Sequence, residues 1–141
     1  MANDIYNSIR AALETHLAST VGTTPIAYEN VAFSPTTGTL FVKPTFIPTL
    51  TQPAVRGTNP QLLYQGLFNV MVNAPEGIGP AQADTTCNTI TNAFSATSDI
   101  SLVVGAETYI VRIRYAERQQ GRIDTPWYSV PINIGWYIYH T

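Results

Sequence analysis

The sequence predicts an α+β fold, a mostly antiparallel sheet with two helices packed on one face. Three observations predict it. Two segments carry apolar residues at helical spacing, several others alternate apolar and polar residues at the period of a strand, and the helical segments interrupt runs of strands joined by short turns. A chain of 141 residues suits one domain and can bury about two thirds of its unfolded surface without a disulfide or metal. Residues 1–141 are therefore expected to form a single α+β domain, with a long loop near 48–60 and a polar excursion near 116–126.

The first helix is expected from Asp4 to Ser19. Asn3 or Asp4 caps it, and Ile5, Ile9, Ala12, Leu13 and Leu17 fall on one stripe, opposite Asn7, Arg10 and Glu14. Gly22 to Pro25 ends it, and a short strand follows at Ile26–Tyr28. Thr39 to Phe46 has strand composition. Pro44 inside it cannot donate to a ladder, which predicts an edge or bulged strand. Pro48 to Pro60 has three prolines and no periodicity and reads as a loop. In Leu62–Asn73 the residues Tyr64, Gly66, Phe68, Val70 and Val72 alternate with Gln65, Leu67, Asn69, Met71 and Asn73. One face is thus core and the other mixed.

Pro75 to Pro80 is a turn, and Pro80 suits the start of a second helix that reaches Phe94 with Ala83, Cys87, Ile90 and Phe94 on one face. Ile100–Val104 and Glu107–Tyr115 read as a hairpin, with Tyr109, Val111, Ile113 and Tyr115 sharing a face. Tyr128 to His140 is the last strand. Its even-numbered apolar residues share one face, and Pro131 again indicates an edge or a bulge.

Composition narrows function. The chain has seven basic and nine acidic residues, where about 35 charges are usual at this length. Lys43 is its only lysine. Aromatic and β-branched content excludes disorder, and a net charge of -2 excludes a polybasic nucleic-acid binder. The opening residues lack the apolar core of a signal peptide, and no stretch is apolar enough to span a bilayer, so a cytoplasmic protein with no membrane partner is expected.

No reaction chemistry emerges, and no cofactor, metal or enzyme activity is expected. Cys87 reads as a small core residue, with neither His16 nor His140 placeable as its base. Glu76-Gly77-Ile78-Gly79-Pro80 has neither the third glycine nor the lysine of a phosphate loop. No Cys/His cluster has metal spacing. The arginines Arg112, Arg114, Arg118 and Arg122 form a local cluster, diluted by Glu117 and Asp124. It is open to three readings: a solvated hairpin end, a protein interface anchored by arginine, or a DNA contact.

The charge deficit points to assembly. A 15.4 kDa monomer exposes about 7,000 Å². Four contacts of roughly 800 Å² each, two lateral and two axial, would cover near half of that. Interface cores are depleted in Lys, Glu and Asp, so a subunit of a stacked ring would lack about the share of charge missing here. A low-charge carbohydrate-binding module would look similar.

The opening helix Ile5-Tyr-Asn-Ser-Ile-Arg-Ala-Ala-Leu-Glu14, the segment Tyr28-Glu-Asn-Val-Ala-Phe-Ser-Pro35, the strand Tyr64–Val72 leading through Pro75-Glu-Gly-Ile-Gly-Pro80 into a helix, and the closing Trp127-Tyr-Ser-Val-Pro-Ile-Asn-Ile-Gly-Trp136 together resemble the tail terminator (tail-completion) proteins of long-tailed bacteriophages. The resemblance spans nearly the whole chain as a pattern of elements. It implies a homo-oligomeric, hexameric ring at the head-proximal end of the tail in the virion, assembled in the host cytoplasm. Its partners would be the tail tube protein and a neck or connector protein, and genomic DNA would pass its channel without sequence-specific binding. A head-completion subunit is the nearest alternative. On that reading the expected assembly contacts are Lys43, Arg56, Arg112, Arg114, Arg118 and Arg122, with the loop Thr49–Pro60 and the strand edges near Pro44 and Pro131.

Overall fold

A computed structural model describes residues 4–36, 38–53, 62–95, 99–104 and 107–140. Among them lie two helices, α1 (Asp4–Val21) and α2 (Ala81–Ala93), and six strands, β1 (Phe41–Pro53), β2 (Leu62–Pro75), β3 (Asp99–Val104), β4 (Glu107–Arg118), β5 (Arg122–Asp124) and β6 (Trp127–His140). The sheet order is β1-β2-β6-β4-β3, with β5 paired to β6, and all of these pairings are antiparallel. The fold is α+β, as the alternating pattern predicts.

The two layers follow from the sequence periods. In β2 and β6, which pair along their full 14 residues, the even-numbered residues face the helices. Phe68, Val70, Val72, Ile132, Ile134 and Trp136 are wholly buried there. From α1 come Ile5, Ile9, Leu13 and Leu17, and from α2 Ala83, Cys87 and Ile90, with Phe94 just after it, all at zero exposure. Burying side chains of this size stabilises by about 1.5–3 kcal/mol each before entropy is charged. α1 ends where Gly22 turns left-handed (φ 63) and its N–H bonds back to the Ala18 carbonyl. Burial also pushes the Cys87 thiol up, against the pull of Arg118, so it packs as a neutral apolar group.

Three local departures from the alternation shape the molecule. β1 does not stop at Pro48. It shifts register between Pro48 and Leu50 and runs on to Pro53 against Leu62, so the first part of the expected loop is strand; residues 54–61 lie outside the described residues. The expected strand at Ile26–Tyr28 is a single bridge, Ile26 to Val42. In β4 a bulge at Arg114 separates the pairs Ile113–Trp136 and Tyr115–Gly135. The extra residue turns Tyr115 away from Val111 and Ile113 and onto the other face.

The two prolines flagged in the strands resolve differently. Pro44 lies in the edge strand β1, as expected. Pro131 lies in the interior strand β6, opposite Met71. It is tolerated because the neighbouring ladder is interrupted: Arg118 pairs with Ile132 and Arg122 with Ser129, and the Gln119 N–H reaches across to the Pro131 carbonyl (2.8 Å). In an antiparallel strand a residue's N–H and C=O point to the same side. The missing donor therefore falls opposite the irregular stretch 119–121. The polar excursion expected at 116–126 is mostly this second, bulged arm along β6.

Gly66 is a notch in the core. The Trp136 indole crosses it to stack on Phe46 (5.3 Å between centroids, 8° between planes). A Cβ at Gly66 would lie 2.3 Å from the Ile47 carbonyl oxygen and 2.8 Å from Trp136. At Gly135 the corresponding clash is with the ring of Tyr115 alone, at 2.5 Å, and that ring is partly exposed and able to swing. Gly66→Ala is accordingly expected to destabilise the fold by about 2–4 kcal/mol and Gly135→Ala by about 1 kcal/mol or less, since only the first clash involves backbone. Urea denaturation of the two variants checks the order.

Candidate functional site: the uncovered sheet face

Because both helices lie on the even face of β2 and β6, the odd face has no described helix over it, and only the segment 27–35 lies along one end of it. Along it β1 contributes Phe41, Lys43, Thr45 and Ile47. β2 contributes Gln65, Leu67, Asn69, Met71 and Asn73, and β6 Trp127, Ser129, Pro131, Asn133, Gly135, Tyr137 and Tyr139. The face is aromatic and amide-rich with few charges. Its polar groups are paired across the strands: Asn69 donates to Asn133 Oδ1 (2.8 Å), and the buried Ser129 hydroxyl donates to Asn73 Oδ1 (2.6 Å).

Two regions differ in chemistry. At one end Arg114 lies over the Tyr137 ring (4.3 Å) and donates to Gln65 Oε1 (3.2 Å), beside the exposed Tyr115 and Tyr139. At the other end a groove of about 750 Å³ opens. Its floor includes Thr45, Asn69, Met71 and Asn73, its walls the segment 27–35 and the β5–β6 turn, and Lys43 and Arg122 are its cations. Phe41 joins Phe33 (5.1 Å) to Trp127 (5.0 Å) in a chain of rings.

The segment 25–29 also closes the outer edge of β1. The Val42 N–H donates to the Pro25 carbonyl, Pro44 has no N–H, the Phe46 N–H donates to Glu29 Oε1 (2.6 Å), and Pro48 again has none. Every outward donor from Val42 to Pro48 is absent or engaged, which protects the edge from pairing with another chain. Glu29 is held for this task by Arg10 (3.6 Å), whose guanidinium lies over Phe46.

The six expected contact residues separate. Lys43 and Arg122 line the same groove from β1 and β5, with no ion pair for either among the described residues. Arg112 is on the same open face but pairs with Asp99 (3.0 Å), an exposed bridge worth little. Arg114 is in the bulge, over Tyr137. Arg118, past the bulge, is turned to the helix side and bonds Asp84 of α2 (2.5 Å), which raises its pKa further. Arg56 lies outside the described residues. Sequence reasoning missed the groove's floor amides, whose cross-strand partners are 56 to 64 residues apart in the chain, and the Glu29 clasp, whose ends are 17 residues apart and joined by no periodic pattern. No cluster of metal-ligating side chains occurs among the described residues, and no described helix is long and apolar enough to cross a membrane.

A family model described as phage tail terminator protein matches residues 8–136. The chain belongs to the phage tail terminator protein family. It is a structural protein of a phage tail and a component of the virion. A solved structure named only by a sequence identifier superposes with a TM-score of 0.71 at 26% identity, covering 96% of this chain and 95% of that one. A chain in the virion of a native gene transfer agent particle aligns with a TM-score of 0.54 at 17% identity, covering 98% and 96%. That second likeness is one of fold. Among curated proteins none matches.

Close to the clasp, burial raises the carboxyl of Glu14 on α1, with Arg10 lowering it and Glu29 adding to the rise. A raised value means that the folded chain holds the proton more tightly than the unfolded one. Its contribution is fully present below the ordinary carboxylate range and is lost as pH rises through the folded value. Glu14→Gln is expected to leave stability at acid pH unchanged and to raise it at neutral pH, flattening the profile between pH 4 and 7 measured by thermal unfolding.

Proposed function

We propose that this chain is the tail terminator itself: a ring, hexameric in the simplest form, that caps the head-proximal end of the tail tube, stops its growth and offers a joining surface to the neck. The family match over residues 8–136 carries this reading. The structure supports it with a subunit whose sheet is helix-covered on one side only, and whose open side is apolar and sparsely charged. A tube end is a ring of unsatisfied subunit contacts. A ring that meets those contacts below and presents different chemistry above prevents another tube subunit from adding.

The work is geometric, so the side chains bind and exclude and need not react. Lys43, Arg112, Arg114 and Arg122 are the cations of the open face and its rim; arginine over an aromatic ring, as Arg114 is over Tyr137, is a favourable interface anchor. DNA passes through the lumen as cargo, without base readout.

Particles made without this protein are expected to carry tails longer than normal, with unjoined heads, in electron micrographs. Normal tail length with empty, unsealed heads would assign it to head completion. Native mass measurement of the purified chain, alone and on isolated tail tubes, is expected to show a closed oligomer. A strict monomer that never binds tubes would exclude the ring.

A further inference from the structure

The groove around Lys43 has a counterpart on the same chain. The turn Pro75–Pro80 projects from the end of the sheet, where Glu76 is exposed and Ile78 is 57% exposed. It is held in shape by left-handed Gly77 (φ 90) and Gly79 (φ 83) and by the Glu76 N–H on the Pro126 carbonyl (3.1 Å). It thus presents one carboxylate next to one aliphatic side chain on a preorganised knob.

The groove presents the complement. Lys43 has no ion-pair partner among the described residues; of the two carboxylates that line the groove, Glu29 is already engaged by Arg10 and the Phe46 N–H, and Asp124 lies on β5 with Arg122, across β2 and β6 from Lys43. Phe33, Phe41 and Trp127 supply an apolar wall beside it. The chain's one lysine lines this groove with no ion pair among the described residues.

Resting on the ring reading above, we infer that the turn Pro75–Pro80 of one subunit seats in the Lys43 groove of the next, with Glu76 on Lys43 and Ile78 against the Phe33–Phe41–Trp127 wall. Within one subunit Glu76 and Lys43 are set apart, although the Trp127 end of the groove is level with Pro75, where the turn begins. Lys43 is level with Met71 in β2, and the strand runs about 13 Å further, at 3.3 Å per residue, before the turn begins. Knob and groove are different surfaces, so the contact is heterologous, and repeated about a rotation that closes it makes a ring. The sealed edge of β1 agrees with this: the neighbour is met by side chains in a groove and not by extending the sheet from β1.

Charge reversal tests it, because both positions are exposed and neither supports the core. Lys43→Glu and Glu76→Lys are each expected to weaken self-association about tenfold or more, the size of a close interfacial charge pair. The double variant, which restores the pair with its signs exchanged, is expected to recover to within about threefold of the native chain on the same reasoning. Sedimentation velocity reads the oligomer, and circular dichroism checks the fold. If the native chain forms rings and neither single reversal matters, or if the double variant fails to recover, the inference is wrong while the ring stands. If Lys43→Glu forms rings but no longer binds tubes, the groove takes a segment of the tube protein instead, and the second-copy occupant is overturned. If the native chain never assembles, alone or on tubes, the ring reading fails first.

Discussion

The pairing of β2 with β6 fixes nearly everything else in this molecule. The two strands keep one register along their whole length, from Leu62–His140 to Pro75–Trp127. A slip of β2 by one residue against β6 would flip its faces, placing Phe68 and Val70 in water and Asn69 and Asn73 under the helices. The penalty for burying those amides without partners keeps the register single-valued. With that face set, α1 and α2 have one place to lay their apolar stripes. The opposite face is then left without a helix over it.

The second consequence concerns charge. The open face is not a solvated face of the usual kind, since its polar positions are mainly asparagines that satisfy each other across β2 and β6. Its aromatic positions are broad, and its cations are few and separated. Such a surface loses little on dehydration, which is what repeated subunit contacts require. The free edge of β1 is treated in the opposite way. Prolines and the Glu29 clasp consume its donors. Contact is thereby directed to faces and grooves, where side-chain chemistry gives geometry and specificity, and away from open-ended strand addition.

The arginine cluster shows how a one-residue irregularity decides which face a side chain occupies. In the sequence Arg112, Arg114 and Arg118 share parity and belong to one face. The bulge at Arg114 resets the parity, so that Arg112 stays on the open side with Asp99 while Arg118 crosses to α2 and Asp84. The same bulge moves Tyr115 out of the core and over Gly135, where the absent side chain leaves room for its ring.

What the sequence determined alone was whatever a period can encode. The stripes Ile5–Leu17 and Ala83–Phe94, the alternation from Tyr64 to Val72 and from Val130 to Ile138, and the turn at Pro75–Pro80 were all legible, because each is set by neighbours a few residues away. The deficit of charge was legible too, being a sum over the chain. Tertiary structure decided what depends on residues distant in the chain. The bulges, the extension of β1 to Pro53, the tolerance of Pro131 inside the sheet, the clasp of Glu29 on Phe46 and the placing of Lys43 and Arg122 along one groove each depend on strand registers. Those registers are fixed by the core as a whole and by no local pattern.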